Sequence, residues 1–204
     1  MGTRKTAIYF GHSTAIVQSR EVERIIRSNF DVVFASHFDF GDRVDQEKLA
    51  RLGADFLFSF GPLLVREPLL NSIVIAPINF HPAPPRWPGR GSAAMAIMEG
   101  DADFGVTAHV MVKEIDAGPI LKVRRFSISE VDEAQQVKEK GLRCVPRLVR
   151  SVVEDLRKNG WRPQPNGDTW ERKAIKKADV EALIRSRSGD RALITGQMSV
   201  VSAR

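Results

Sequence analysis

The stretch SIVIAPINFHPAPPRWPGRG, residues 72–91, runs from a buried apolar segment into two polar side chains and then into a proline-rich loop. Aliphatic residues leading straight into Asn79, Phe80 and His81 predict a strand whose end holds an amide and an imidazole pointing the same way. The prolines that follow stop the strand at once, because proline has no N–H to give to a ladder. A hydrophobic strand that finishes in polar groups and then stalls in a stiff loop is placed to meet a ligand.

Upstream, strands and helices alternate. KTAIYFG (5–11) reads as a short buried strand ending at Gly11, and SREVERIIRSN (19–29) shows helical spacing at Val22, Ile25 and Ile26 behind a Ser19 cap. DVVFASH (31–37) is a second strand, RVDQEKLARLG (43–53) a helix closed by Gly53, and DFLFSF (55–60) a third strand. GPLLVREPLL (61–70) predicts a short helix or turn opening at Pro62. Runs buried on both faces and separated by helices predict an α/β fold, a mostly parallel sheet flanked by helices. Ligands of such sheets gather beyond the carboxyl ends of the strands, where Gly11, Phe60, Asn79 and His81 fall.

Downstream, SAAMAIMEG (92–100) is a small-residue helix, and FGVTAHVMV (104–112) and PILKVRRFSI (119–128) are strands joined through the turn EIDAG (114–118). From Val131 to Lys158 apolar residues recur with helical spacing, and Gly141 and Pro146 predict two helices or one kinked helix. Residues 1–160 form the expected main domain, and 161–204 a short, partly flexible C-terminal extension with one helix around Ala178 to Arg185. Val180, Leu183 and Ile184 on that helix are expected to pack on the core or on a second subunit, which keeps a homodimer among the expected assemblies.

With 204 residues, 43% hydrophobic and 27% charged, the chain has the composition of a folded globular protein. A net charge of +6 favours anionic partners such as phosphates, polycarboxylates or RNA, although a solvated basic helix face gives the same number. No feature points to DNA. Cys144 is the only cysteine, which excludes an internal disulfide and a cysteine-built zinc cage. No signal-like stretch opens the chain and no run approaches a membrane span, so a cytoplasmic protein without membrane contact is expected. The four histidines lack ligand spacing and the acidic residues lack calcium-loop order, so no metal is expected.

Asn79, His81 and Asp116 supply an amide, an imidazole and a carboxylate. An acyl transfer needs such groups to hold an oxyanion, to take a proton from an attacking amine and to return one to the leaving nitrogen. No serine or cysteine nucleophile is then required, since the amine attacks the bound acyl donor directly.

INFHPAPPRWPGRG (78–91), followed by EGDADFGVTAHVMVKEIDAGPILKVRRFSI (99–128), resembles the formyltransferase family that uses 10-formyltetrahydrofolate. The shared pattern is Asn-x-His-Pro, a proline loop ending in Gly, then Gly-x-Thr-x-His and Asp-x-Gly. It is close from Phe58 to Ile128, and the flanking units agree with the family's Rossmann-like domain in outline. The resemblance implies that Asn79, His81 and Asp116 are catalytic: Asn79 and His81 on the oxyanion, Asp116 orienting His81 and moving protons. Which of His81 and Asp116 is the base stays open. Thr107 and His109 share one strand face, and His109 is similar to the family's second histidine, a supporting or a structural residue. The family's folate pocket implies backbone contacts from Pro62, Leu63, Leu64 and Val65, with Val112 to Asp116, including Ile115, closing the other side.

Departures from subfamily patterns bear on the amine. Methionyl-tRNA formyltransferases carry a further C-terminal β-barrel that grips tRNA, and about forty residues after Trp161 are too few for a domain of usual size, so tRNA is disfavoured. Glycinamide ribonucleotide formyltransferases have a Gly-Ser-Gly-like loop after the first strand, where this chain reads FGHSTAIVQS (10–19) with one glycine. The HPAPP form is similar to that of sugar N-formyltransferases. The expected acceptor is therefore a primary amine of a small molecule, a nucleotide-linked amino sugar, met by His12, Arg86, Trp87 and Arg90. A glycinamide ribonucleotide formyltransferase-like enzyme and a folate-binding module without catalysis are the alternatives.

Overall fold

The structure, a computed structural model, describes residues 4–129 and 131–186 of the chain. The stretch ITGQMSVVSAR, and the flexibility expected of it, lie outside the described residues. Strands β1 (Thr6–His12), β2 (Asp31–Phe38), β3 (Phe56–Ser59) and β4 (Ala76–His81) pair in parallel, and β5 (Asp103–Val110) and β6 (Ile120–Ser127) extend the sheet antiparallel, in the order β2-β1-β3-β4-β5-β6. The helices are α1 (Ile16–Asn29), α2 (Gln46–Ala50), α3 (Leu69–Ser72), α4 (Ser92–Met98), α5 (Ala134–Lys158) and α6 (Lys177–Ser186). This is the expected mostly parallel α/β architecture.

All four residues of β3 are buried, as they must be in a strand covered on both sides. Tyr9, Phe56, Phe58, Ile78 and Phe80 meet Val22, Ile26, Val145 and Val149 of α1 and α5 in the main core. Ile8, Phe10 and Leu57 turn the other way, onto Phe38, Leu49 and Leu69. The chain leaves β1 to form β2 on one side and returns to form β3 on the other, so a crevice opens between the ends of β1 and β3. Gly11 and Gly61 line it: a Cβ on Gly61 would lie 2.6 Å from the Gly11 carbonyl oxygen, so only a bare Cα lets these strand ends come so close.

Several expectations are corrected. Ser19 does not cap α1, which starts at Ile16; it is fully buried inside the helix. Its Oγ accepts the His12 N–H at 2.6 Å and lies 3.2 Å from the Tyr9 hydroxyl, while that hydroxyl donates to the Ser19 carbonyl at 2.9 Å. Ser19→Ala is expected to cost ~1–3 kcal/mol, because it leaves a buried donor without its partner. A thermal melt unchanged from wild type would remove this tie between β1 and α1 as a source of stability.

Helix α5 is continuous through both Gly141 and Pro146. A proline inside a helix removes one N–H and crowds the preceding turn, but Val145, Pro146, Leu148, Val149, Val152 and Val153 are all buried, and that packing holds both halves in one line. The helix around Gln46 is shorter than expected, starting behind an Asp45 cap that accepts from Lys48 N–H at 2.9 Å. Residues 61–66 form no helix, and α3 begins only at Leu69.

After α5 the chain turns at Trp161, whose ring lies 5.2 Å from Phe30 and 6.3 Å from Phe56. Residues 162–176, expected within the C-terminal extension, then run along the proline loop. Asn166 N–H donates to the Ile120 carbonyl, Glu171 N–H to Pro85, Ile175 N–H to Pro88, and Arg90 N–H to Ile175. Val180 on α6 is buried against Gly91, so it packs on the chain's own core; the side chains of Leu183 and Ile184 lie outside the described residues. Among the described residues no helix is long and apolar enough to cross a membrane.

Candidate functional site

Strand register assembles the site. Asn79 and His81 leave one face of β4 while Ile78 and Phe80 enter the main core. In the antiparallel pairing Asn79 stands opposite His109 and His81 opposite Thr107, which puts all four side chains on the same face. Asp116 reaches them from the β5–β6 loop with a φ of 45°, in the left-handed region that short polar residues tolerate. Gly118 makes the loop feasible, because a Cβ there would overlap the Val110 carbonyl.

Asp116 is the hub. Its Oδ2 lies 3.3 Å from His81 Nδ1 and accepts the Gly89 N–H at 2.8 Å. Its Oδ1 lies 3.3 Å from His109 Nε2 and accepts from Asn79 Nδ2 at 3.4 Å. Asn79 Nδ2 also lies 3.2 Å from His109 Nε2. The far nitrogens of the rings are tied to carbonyls, His81 Nε2 to Trp87 at 3.1 Å and His109 Nδ1 to Val110 at 3.0 Å. A carbonyl only accepts, so those nitrogens carry the protons and each ring turns its other nitrogen to the same carboxylate.

His81, His109 and Asp116 are all buried. Burial pushes the Asp116 carboxyl up, but the charge of His81, the hydrogen bond and charge of His109, and the Gly89 N–H together outweigh it and hold the group well below the ordinary carboxylate range. Two hydroxyls fix the surroundings: Thr107 Oγ1 donates to the Ala83 carbonyl at 2.7 Å, and Ser92 Oγ to the Trp87 carbonyl at 2.9 Å.

The expected acceptor residues divide. His12 and Arg90 come together through Phe40, whose ring meets His12 edge-on at 5.8 Å and carries the Arg90 guanidinium 4.5 Å from its centroid. Phe40 is 57% exposed, enough to offer a ligand its open side, and as a single aromatic among turn residues it carries no signal in the sequence. Burial, then the nearby Lys138 ammonium, lower the His12 pKa, with Asp39 opposing. Arg86 is held by Glu99 at 3.2 Å and Asp101 at 3.4 Å. Trp87 is a correction: it is 0% exposed, its indole N–H donates to Asp101, and Arg172 lies 4.0 Å over its ring, so it anchors the loop and cannot touch a substrate.

The residues expected on the folate side occupy the two loops beside the hub. Gln46 clamps the first, its amide donating to the Leu64 carbonyl and accepting from Arg66 N–H, both at 2.8 Å. Pro62 opens this loop, Leu63 and Val65 pack inward beside Met111, and Leu64 is exposed. Val112 and Ile115 are exposed on the second loop. Trp170 joins the site unforeseen: its ring lies 5.0 Å from His109 at 90° and 6.1 Å from His81 at 65°. No local signal in its polar surroundings marked it. Among the described residues no group of three or more His, Cys, Asp or Glu side chains is arranged to hold a metal.

Parallel strands ending in a crevice, with a carboxylate, an amide and two imidazoles gathered at their edge, define a doubly wound α/β protein whose polar cluster lies where such folds take small ligands. The chain belongs to the formyl transferase family, whose model matches residues 21–153. It is 28% identical over 149 residues to the methionyl-tRNA formyltransferase of Nitratidesulfovibrio vulgaris, a match covering 72% of this chain and 45% of that one. The chain spans about half the length of the curated relatives it matches. Its fold is similar to that of a 4-N formyltransferase from Francisella tularensis, with a TM-score of 0.69 and 22% identity, over 87% of this chain and 78% of that one. It is also similar to the N-formyltransferase from Helicobacter canadensis in complex with folinic acid and dTDP-3-aminofucose, with a TM-score of 0.64 and 18% identity, over 87% and 72%.

Proposed function

We propose that the protein is an N-formyltransferase that moves a formyl group from 10-formyltetrahydrofolate to a primary amine of a small molecule, a nucleotide-linked amino sugar. The carrying observation is the buried Asp116 carboxylate with both imidazoles and the Asn79 amide around it. The residues present fit a folate: exposed apolar side chains at Leu64, Val112 and Ile115 stand beside a backbone loop clamped by Gln46.

The donor supplies an activated formyl carbon. Asn79 and His81 hold the charge that develops on its oxygen as the amine attacks. Asp116 orients His81 and raises its basicity, and the proton the amine gives up passes to this His81–Asp116 pair. The same proton then goes to the departing N10 as the C–N bond breaks, so the residues end as they began. His12, Phe40 and Arg90 form the acceptor side of the cleft in this reading, and the reaction belongs to the cytoplasm, where the lone Cys144 stays a thiol.

The Helicobacter enzyme supports an amino-sugar acceptor, since it was solved with dTDP-3-aminofucose. A second reading, methionyl-tRNA as acceptor, is favoured by the curated relatives, which are methionyl-tRNA formyltransferases. Calorimetric titration with 5-formyltetrahydrofolate, a stable mimic of the donor, is expected to give saturable binding at one site per chain. No heat up to high ligand concentration would overturn the donor half of the proposal. An acceptor screen that pits nucleotide-linked amino sugars against charged initiator tRNA then separates the two readings, and sedimentation at monomer mass would dismiss a homodimer.

A further inference from the structure

We propose that Trp170 is a positioning residue of this site, through which the segment 166–176 holds His81, His109 and Asp116 in their working arrangement. The inference rests on the reading of those three groups as the reacting centre, but its geometry stands apart from that reading.

Each imidazole is fixed on one side by a backbone carbonyl and on another by Asp116. The Trp170 ring closes a third side of both, near 5.0 Å and 6.1 Å, in edge-to-face contact. Its indole N–H donates to the Gly118 carbonyl at 2.8 Å, which ties it to the turn that carries Asp116. A few residues on, Ile175 forms a parallel bridge with Gly89, the residue whose N–H holds Asp116 Oδ2. Gly89 has a φ of 88°, and a Cβ there would overlap the Ile175 backbone, so its glycine permits the bridge. The segment thus grips the carboxylate from both loops that present it and keeps water off rings that would otherwise turn about χ2.

Trp170→Phe keeps a ring and loses the N–H; Trp170→Ala loses both. Imidazole N–H exchange, read by NMR on ring-labelled histidine, follows the hydrogen bonds of His81 to Trp87 and of His109 to Val110 without needing substrate. It is expected to quicken about tenfold or more in Trp170→Ala and to stay within about twofold in Trp170→Phe. With donor and acceptor present, kcat is expected to fall about tenfold or more in the alanine variant, since misplaced groups cost rate, while the donor KM changes less than about twofold. Trp161→Phe, far from the site on Phe30, is the control that lowers stability without moving the exchange rates.

Should the alanine variant not fold, Trp170→Leu keeps apolar bulk without ring or N–H and is expected to exchange faster than Trp170→Phe. Exchange rates equal to wild type in the alanine or leucine variant would overturn the proposal even if turnover fell. Faster exchange in those variants, in a protein that transfers no formyl group to any acceptor, would support the positioning role and sink the functional reading instead.

Discussion

Asp116→Asn is expected to lower formyl transfer by about a thousandfold or more, equivalent to ~4 kcal/mol of lost barrier reduction. The two side chains have the same shape, so the change removes charge and proton affinity with little loss of volume. Among the described residues Asp116 is the one anion shared by His81 and His109, and without it neither ring has a counter-charge there for a proton taken from the amine. A variant that turns over within about tenfold of wild type would dismiss the proton route drawn through this carboxylate.

Acid unfolding gives an independent reading of the same group. Its folded-state pKa lies below the unfolded value of about 3.9. The stabilisation it contributes is therefore complete above that value and is lost as pH falls toward the folded pKa. The stability gap between wild type and Asp116→Asn should narrow as the pH is lowered from 7 to 3. A gap that stays constant would mean that Asp116 is not held by the charges around it.

Phe30→Ala is expected to cost ~3–5 kcal/mol, the range for removing a large buried aromatic. Phe30 is 1% exposed and lies 5.4 Å from Phe56, 4.9 Å from Phe58 and 5.2 Å from Trp161, at the junction of α1, β3 and the chain leaving α5. Against a typical native stability of ~5–15 kcal/mol this is a large share, and a melt on the order of 10 °C lower follows for a domain of this size. Its turnover per folded molecule should match wild type, because no site residue touches it. An unfolding free energy lowered by less than about 1 kcal/mol would deny the ring cluster this role.

The expectations that held rest on short-range periodicity. Period two in β4 set Asn79 and His81 on one face, and the same alternation in β5 set Thr107 with His109. The place of Asp116 beside them was legible only through its motif, since nothing local ties a turn aspartate to two histidines on neighbouring strands. The failures are contacts made across the fold. Trp87 looked like a surface aromatic in a proline loop, yet Asp101 and the segment that carries Arg172 cover that loop and bury the ring. Ser19 has the residue type of a helix cap, but Tyr9 and His12 hold it inside. Pro146 has the look of a break, and core packing on either side of it kept one helix. Trp170 lies far along the chain from both histidines, and no spacing rule links them.

The bridge between Gly89 and Ile175 also sets an order of events on the ribosome. Synthesis runs from the N-terminus, so the sheet and the loop that ends in Gly89 emerge well before the residues that cover them. A nascent chain, or one clipped ahead of Trp170, can hold its strands while His81 and His109 stand uncovered. Activity in a cell-free translation should then lag behind full sheet formation and rise only once this late segment has been released.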